Sequence, residues 1–179
     1  MWSPPAEHPL RRLFAGLTEH TFVGSLGIAD PPLLDYVSTL LARFVHVNEI
    51  YRLRNLQGQP LEQIADMVME AEGLPPEGRT RREFYRHIGD FALFWTGVYP
   101  EMLARLRSSL CKDYFVNYCE QGKRSYYIAG TCSVDTPTRD ESEVLLRLSE
   151  QFELVAYGLR QVRQEWESLP PLAGPTLIR

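Results

Sequence analysis

The residues best suited to chemistry lie in one stretch, Thr80 to Tyr99, which reads TRREFYRHIGDFALFWTGVY. Arg82, His87 and Asp90 are its candidate catalytic residues. An imidazole can move protons near neutral pH, and a guanidinium can hold a phosphate through two hydrogen bonds. His87 and Asp90 are three residues apart, so one helical face can present them as an imidazole–carboxylate pair. No serine or cysteine is tied to this pair by spacing, so we assign no nucleophile.

Arg82 and His87 also match R-x4-H, and through this motif the chain resembles the HEPN superfamily of helical ribonucleases. The resemblance implies metal-independent cleavage of RNA, with the arginine and histidine of a symmetric dimer meeting in one cleft around the scissile phosphate. It covers six residues, and Glu83 departs from the polar, uncharged or aspartate residue common at that place. The alternative interpretation puts Arg82 on a solvated first turn and His87 at the edge of the core.

Residues 61 to 88 carry a second local pattern, with matching positions at Ile64, Ala65, Ala71, Gly73, Tyr85 and His87. Through it the chain resembles the helix-turn-helix of tetracycline-repressor-type regulators. The resemblance implies a transcriptional regulator that presents the helix around Arg81 and Arg86 to DNA. The connecting segment GLPPEGRTRRE is several residues longer than the tight turn of such motifs, which leaves the docking angle unspecified.

Basic and aromatic residues supply the candidate binding surface. Arginines are concentrated at the start of the same stretch, at Arg79, Arg81, Arg82 and Arg86. The positive end of a helix would reinforce their attraction for an anion such as RNA. Arginine or lysine beside exposed tyrosine also suits a protein partner. The predicted contact residues are Arg86, Tyr99, Lys123, Arg124, Tyr126 and Tyr127.

The bulk composition restricts the class of protein. A net charge of -4 argues against a surface that binds nucleic acid or anionic membrane generally. Cys111, Cys119 and Cys132 form an odd set without a CxxC pair, a pattern typical of reduced thiols in a cytoplasmic protein. No secretion signal and no uninterrupted apolar run of about 18 residues is present, so we predict no membrane span.

Metal and cofactor motifs are missing as well. No group of cysteine and histidine has zinc spacing, and the paired E-x-x-H motifs of di-iron bundles are absent. The glycine loops that bind phosphate in nucleotide enzymes are also absent. We therefore predict no metal site and no cofactor.

Hydrophobic periodicity predicts helices throughout. The first runs from about Pro9 to Phe22, and the second from Pro31, capped by Asp30, to near Arg54. A third begins at Pro60 and ends before Gly73.

The second half of the chain continues the pattern. A T-x-x-E capping box of Thr80 and Glu83 starts the fourth helix, Pro100 starts a fifth and Asp113 caps a sixth. Gly122, in the middle of the sixth, indicates either a close helix crossing or a break.

The last predicted helix starts with a capping box of Thr138 and Glu141. Its apolar positions have heptad spacing, at Leu145, Leu148, Phe152, Val155, Leu159, Val162 and Trp166. No segment reads as a strand. We predict an all-α, single-domain bundle of six to seven helices over residues 1–179, with extended or disordered tails at about 1–8 and 170–179.

The function that these observations favour is a non-catalytic helical binding module that acts through protein–protein contacts, with a protein partner or a homodimer. A HEPN-like ribonuclease that uses Arg82 and His87 is the alternative. A helix-turn-helix regulator is the third hypothesis.

Overall fold

The computed structural model describes residues 5, 7–106, 112–133 and 139–169. The α-helices of this part of the chain are α1 (Pro9–Glu19), α2 (Pro31–Phe44), α3 (Val47–Ile50), α4 (Ile64–Glu72), α5 (Arg79–Gly97), α6 (Leu103–Leu106), α7 (Tyr118–Thr131), α8 (Arg139–Glu150) and α9 (Phe152–Ser168). A π-helical turn, His20–Ser25, extends α1, and 3-10 turns occupy Pro100–Met102 and Lys112–Phe115.

The all-α prediction is confirmed. Among the described residues, extended pairing is limited to one isolated bridge between Arg54 and Pro60. None of the described helices is long and apolar enough to cross a membrane.

Helix α5 lies at the centre of the bundle. It packs against α4, α7 and α9, and its apolar face enters a single hydrophobic core cluster. Ile88 and Phe91 are completely buried, as the periodicity predicts, whereas Phe84 and Trp95 pack at the margin of the core. Burial on several sides explains why this helix is so rich in aromatic residues.

The chain between α2 and α4 differs from the prediction. Helix α2 ends at Phe44 instead of continuing to near Arg54, and α4 begins at Ile64 instead of Pro60. The intervening loop is closed by Asn55, whose side-chain oxygen accepts hydrogen bonds from the amides of Gln57 and Gln59. Such side-chain-to-backbone bonds compete with helix formation, and local apolar spacing does not reveal them.

The capping box predicted at Thr80 and Glu83 is wrong. The N-cap of helix α5 is Gly78, two residues before Thr80, and no side chain caps the helix. Gly78 has a φ of 122°, a backbone conformation that residues other than glycine rarely adopt. The Glu83 carboxylate lies instead 2.9 Å from the Arg86 guanidinium.

Asp113 caps a different helix from the one predicted. Its carboxylate accepts hydrogen bonds from the amides of Ile64 (2.9 Å) and Ala65 (2.8 Å), at the start of α4, and from the Tyr118 hydroxyl (2.6 Å). Asn117 caps the sixth predicted helix, α7, which begins at Tyr118. A cap from a distant segment ties the Lys112–Phe115 turn to α4.

We expect Asp113→Ala to lower the free energy of unfolding by about 2 kcal/mol, because two amides and a hydroxyl lose a buried acceptor. Urea unfolding followed by circular dichroism measures the change. Asn117→Ala, which removes a cap from partly exposed amides of α7, is the matched control and should cost about 1 kcal/mol. If Asp113→Ala lowered the free energy of unfolding by no more than Asn117→Ala does, Asp113 would not tether the turn to α4.

Gly122 marks a close helix crossing rather than a break, since α7 is continuous through it. A Cβ atom at this position would lie 2.4 Å from the Phe152 ring and 3.0 Å from the Cβ of Ala92. The glycine therefore lets α7 approach α5 and α9 closely enough for the Phe152 ring to pack directly against its backbone.

The predicted C-terminal helix is divided into α8 and α9 at Gln151. Its heptad-spaced positions from Leu145 to Val162 are nevertheless buried, and Trp166 packs against the core. Thr138, from the predicted capping box, lies outside the described residues, as do Cys111 and most of the two predicted tails.

Candidate functional site

His87 is completely buried in the centre of the bundle. Its Nδ1 accepts a hydrogen bond from Arg52 Nε at 2.9 Å, and its Nε2 lies 2.9 Å from the Ile50 carbonyl oxygen. These partners place the single ring proton on Nε2, so the imidazole is neutral. Burial, reinforced by the positive charge of Arg52, lowers the pKa of His87 to about 3.

Asp90 is a completely buried acceptor for three side chains. Its Oδ1 accepts from the hydroxyls of Tyr36 (2.7 Å) and Tyr126 (2.9 Å), and its Oδ2 accepts from Arg43 Nη2 (2.6 Å). Burial alone would raise the pKa of Asp90, but the charges of Arg43 and Arg86 and these hydrogen bonds outweigh it and lower that pKa. Asp90 is therefore an ionised carboxylate inside the protein.

Arg82 joins three helices. Its Nε donates to the Ala129 carbonyl of α7 at 3.0 Å, and its Nη2 donates to Ser142 of α8 at 3.1 Å. Arg86, one turn further along α5, donates to Glu141 at 2.6 Å and to Glu83 at 2.9 Å. The polar cluster, as we call it, consists of buried and partly buried residues: Tyr36, Arg43, Arg82, Arg86, His87, Asp90 and Tyr126.

The candidate catalytic residues lie close together on α5, but their side chains bind different partners instead of converging on one position. His87 and Asp90 have different hydrogen-bond partners, and the predicted imidazole–carboxylate pair is not among the hydrogen bonds of the described residues. Arg82 and His87 are both buried, so neither reaches a surface on which RNA could lie. The accessible cleft that the ribonuclease hypothesis requires does not form around these two side chains.

The regulator hypothesis requires a helix that projects from the body. Helix α5, which carries Arg81 and Arg86, is instead surrounded by α4, α7 and α9. Arg81 donates two hydrogen bonds from Nη1, to the carbonyls of Ala71 and Leu74. This helix is not placed to enter a DNA groove.

The remaining predicted contact residues fall into different environments. Tyr126 is buried in the polar cluster, so it cannot contact a partner, and Arg86 is held by two carboxylates. Arg79, Arg124 and Tyr127 are exposed. Lys123 Nζ lies 2.8 Å from Glu153 on α9. The predicted basic residues are therefore divided between the interior of the bundle and its surface.

Tyr99 lies in an aromatic groove of about 390 Å³. The groove is lined by Phe14, Leu41, Phe44, Val45, Ile50, Phe94, Trp95, Tyr99, Met102 and Trp166. The guanidinium of Arg163 stacks on the Tyr99 ring at 4.5 Å from its centre, which fixes one wall of the groove. The indole nitrogen Nε1 of Trp95 is buried and has no hydrogen-bond partner among the described residues.

The sequence indicated this groove only in part. Trp95 and Tyr99 are four residues apart and form one side of it, and Tyr99 is one of the predicted contact residues. Phe14 and Trp166 come from opposite ends of the chain, and their rings meet edge to face at 5.2 Å. No local pattern connects residues so distant in sequence.

A polar cleft of about 300 Å³ opens above the polar cluster, with Tyr36, Arg43, Arg86 and Glu141 in its lining. Its positive charges are compensated from within, since Arg43 pairs with Asp90 and Arg86 pairs with Glu141. This charge balance gives the cleft little preference for an anion.

Cys119, Glu120 and Glu153 are a group whose potential ligand atoms lie within 4.8 Å of one another. Burial and the Glu153 carboxylate raise the pKa of the Cys119 thiol to about 11, so the thiol stays protonated near neutral pH. The ammonium of Lys123 already pairs with Glu153. A cation at this group would have to displace both the thiol proton and the Lys123 ammonium.

Comparisons of the chain with protein-family models, curated proteins and solved structures gave no match. A functional assignment therefore depends on the geometry of the described residues alone.

Proposed function

We propose that this chain is a non-catalytic helical binding module that acts through contacts with a protein, and that the aromatic groove is its contact site. The observation that carries the proposal is the aromatic lining of the groove around Trp95, Tyr99 and Trp166. Tryptophan and tyrosine side chains lose little conformational entropy on binding and offer large apolar surfaces, which is why they dominate the energetics of protein contacts.

The exposed margin of the groove favours a protein as the occupant. Val45 lines the groove and is well exposed, and Val47 beyond it is more exposed still. Exposed apolar side chains therefore continue past the groove, from the turn after α2 to the first residue of α3. A small molecule would leave this margin uncovered, whereas a protein segment can cover it together with the groove.

The polar cluster supports a non-catalytic role in this proposal. Arg82, His87 and Asp90 are all committed to internal hydrogen bonds, so they contribute to the packing of α5 rather than to a reaction. A homodimer and a cytoplasmic location remain part of the proposal, the latter because of the odd set of cysteines.

Site-specific photo-cross-linking in the native cell tests the proposal. A benzophenone amino acid at Val45 should give a discrete adduct with a protein, and Met102→Glu, which places a charge in the groove, should remove it. The same probe at Tyr157, an exposed residue that does not line the groove, is the matched control. An adduct with RNA, or a protein adduct that Met102→Glu does not change, would contradict the proposal.

A further inference from the structure

The aromatic groove is lined by apolar and aromatic side chains, and none of the described residues in its lining carries a charge. Arg163, whose guanidinium stacks on Tyr99, is paired with Glu101 at 2.5 Å and with Glu167 at 2.7 Å. Its positive charge is therefore compensated beside the groove. An apolar segment without charges matches this lining, because a charge buried there would lack a partner.

Helix α9 brings the chain to this groove. Trp166, in the last turn of α9, lines the groove, and its ring packs edge to face on Phe14 at 5.2 Å. The helix ends at Ser168, and the backbone of Leu169 is extended. The described chain therefore leaves α9 three residues after a side chain that forms part of the groove.

Residues 170–179 follow, outside the described part of the chain, with the sequence PPLAGPTLIR. We call residues 170–178 the C-terminal segment. None of them is charged, and Leu172, Leu177 and Ile178 are large and apolar. The segment also contains three prolines, a residue that favours the polyproline II conformation. Extended segments of this kind dock in grooves lined by aromatic side chains because little conformational entropy is lost.

The length of the segment suits a contact with the groove of the same chain. Ten residues span at most about 33 Å when extended, roughly the diameter of a small domain. Leu172 comes only six residues after Trp166, so the groove lies within reach of the segment. A short tether gives an effective concentration in the millimolar range, at which a contact of modest affinity keeps a site occupied.

We propose that the C-terminal segment occupies the aromatic groove of its own chain, as an intramolecular ligand that a protein partner has to displace. Its leucine and isoleucine side chains cover the rings of Trp95, Tyr99 and Trp166. The contact depends on the groove and the segment alone, whereas its inhibitory role rests on the function proposed above.

Photo-cross-linking of the purified full chain tests the contact. A benzophenone amino acid at Val45, in the groove lining, should form an adduct within the chain that mass spectrometry locates in the C-terminal segment. Met102→Glu, and separately Leu172→Asp combined with Leu177→Asp, should lower the yield about tenfold or more, because each variant places charge in the contact. The same probe at Tyr157, which is exposed and does not line the groove, is the matched control.

Several results would overturn the contact. An adduct with residues 1–8, or one between two chains, would show that another segment or a second copy occupies the groove. Absence of any adduct within the chain at Val45, or equal yields at Val45 and Tyr157, would show that the segment does not dock there.

The probe at Val45 in the native cell separates this inference from the proposed function. The double variant at Leu172 and Leu177 should raise the yield of the protein adduct about threefold or more, because the segment no longer competes with the partner. A protein adduct whose yield does not rise would overturn the inhibitory role alone. An adduct with the C-terminal segment but with no protein would overturn the proposed function, and the inhibitory role with it, while supporting the contact.

Discussion

Acidification from about pH 6.5 to about pH 3 is expected to lower the free energy of unfolding by about 1.4 kcal/mol per pH unit, through His87 alone. The unfolded chain binds a proton at this histidine below about pH 6.5, whereas the folded chain stays neutral until about pH 3. In that window the unfolded state holds more protons, so stability falls as the pH falls. The summed loss reaches roughly 4 kcal/mol or more, a large part of a typical domain's stability.

Urea unfolding at a series of pH values measures this dependence, and His87→Gln tests its origin. Glutamine retains a donor for the Ile50 carbonyl but does not titrate, so the variant should lose most of the slope in this window. His20→Gln, at a histidine whose side chain is 73% exposed, should retain it. An unchanged slope in His87→Gln would show that the buried imidazole is not the titrating group.

Much of the fold could be predicted because the relevant signals are local. The spacing of apolar residues along α5 identified Ile88 and Phe91 as core positions, and the stripe from Leu145 to Val162 identified the inner faces of α8 and α9. Periodicity reports which face of a helix is apolar. It does not report where a helix stops when a side chain such as Asn55 closes the following loop.

The polar cluster could not be predicted, because its partners are distant in sequence. Asp90 is bonded to Tyr36 and Arg43, 54 and 47 residues away, and His87 is bonded to Arg52, 35 residues away. Helical spacing placed His87 at the edge of an apolar face, a position that suits a solvated or catalytic role as readily as a buried one. Burial of a charged side chain depends on whether distant residues supply its hydrogen bonds.

Contact surfaces could not be predicted either, because they also depend on residues that are distant in sequence. Tyr99 and Tyr126 are both among the predicted contact residues, and nothing in their local spacing distinguishes a surface position from a buried one. Tyr99 lines the groove, whereas the hydroxyl of Tyr126 enters the core and donates to Asp90. Hydrogen bonds to Asp66 and Glu70 attach two loops to α4, and no local spacing predicts such attachments.

Asp90→Ala is expected to lower the free energy of unfolding by about 3–5 kcal/mol, because it leaves the Arg43 guanidinium buried without its carboxylate. The hydroxyls of Tyr36 and Tyr126 lose an acceptor at the same time. Denaturant unfolding at neutral pH, above the window in which His87 titrates, measures this loss of stability. The matched control is Asp35→Ala, which breaks an exposed pair with Arg11 and should cost less than about 1 kcal/mol.

A double-mutant cycle separates the charge from the packing at Asp90. Tyr126→Phe removes one neutral hydrogen bond to the carboxylate and should cost about 1 kcal/mol. Arg43→Met combined with Asp90→Leu removes both buried charges, so the double variant should be more stable than Asp90→Leu alone despite the loss of a second native residue. Such recovery would assign most of the cost to an uncompensated guanidinium. If the double variant lost as much free energy of unfolding as the two single variants together, Arg43 and Asp90 would not be coupled. The carboxylate would then act mainly by filling space between α2, α5 and α7.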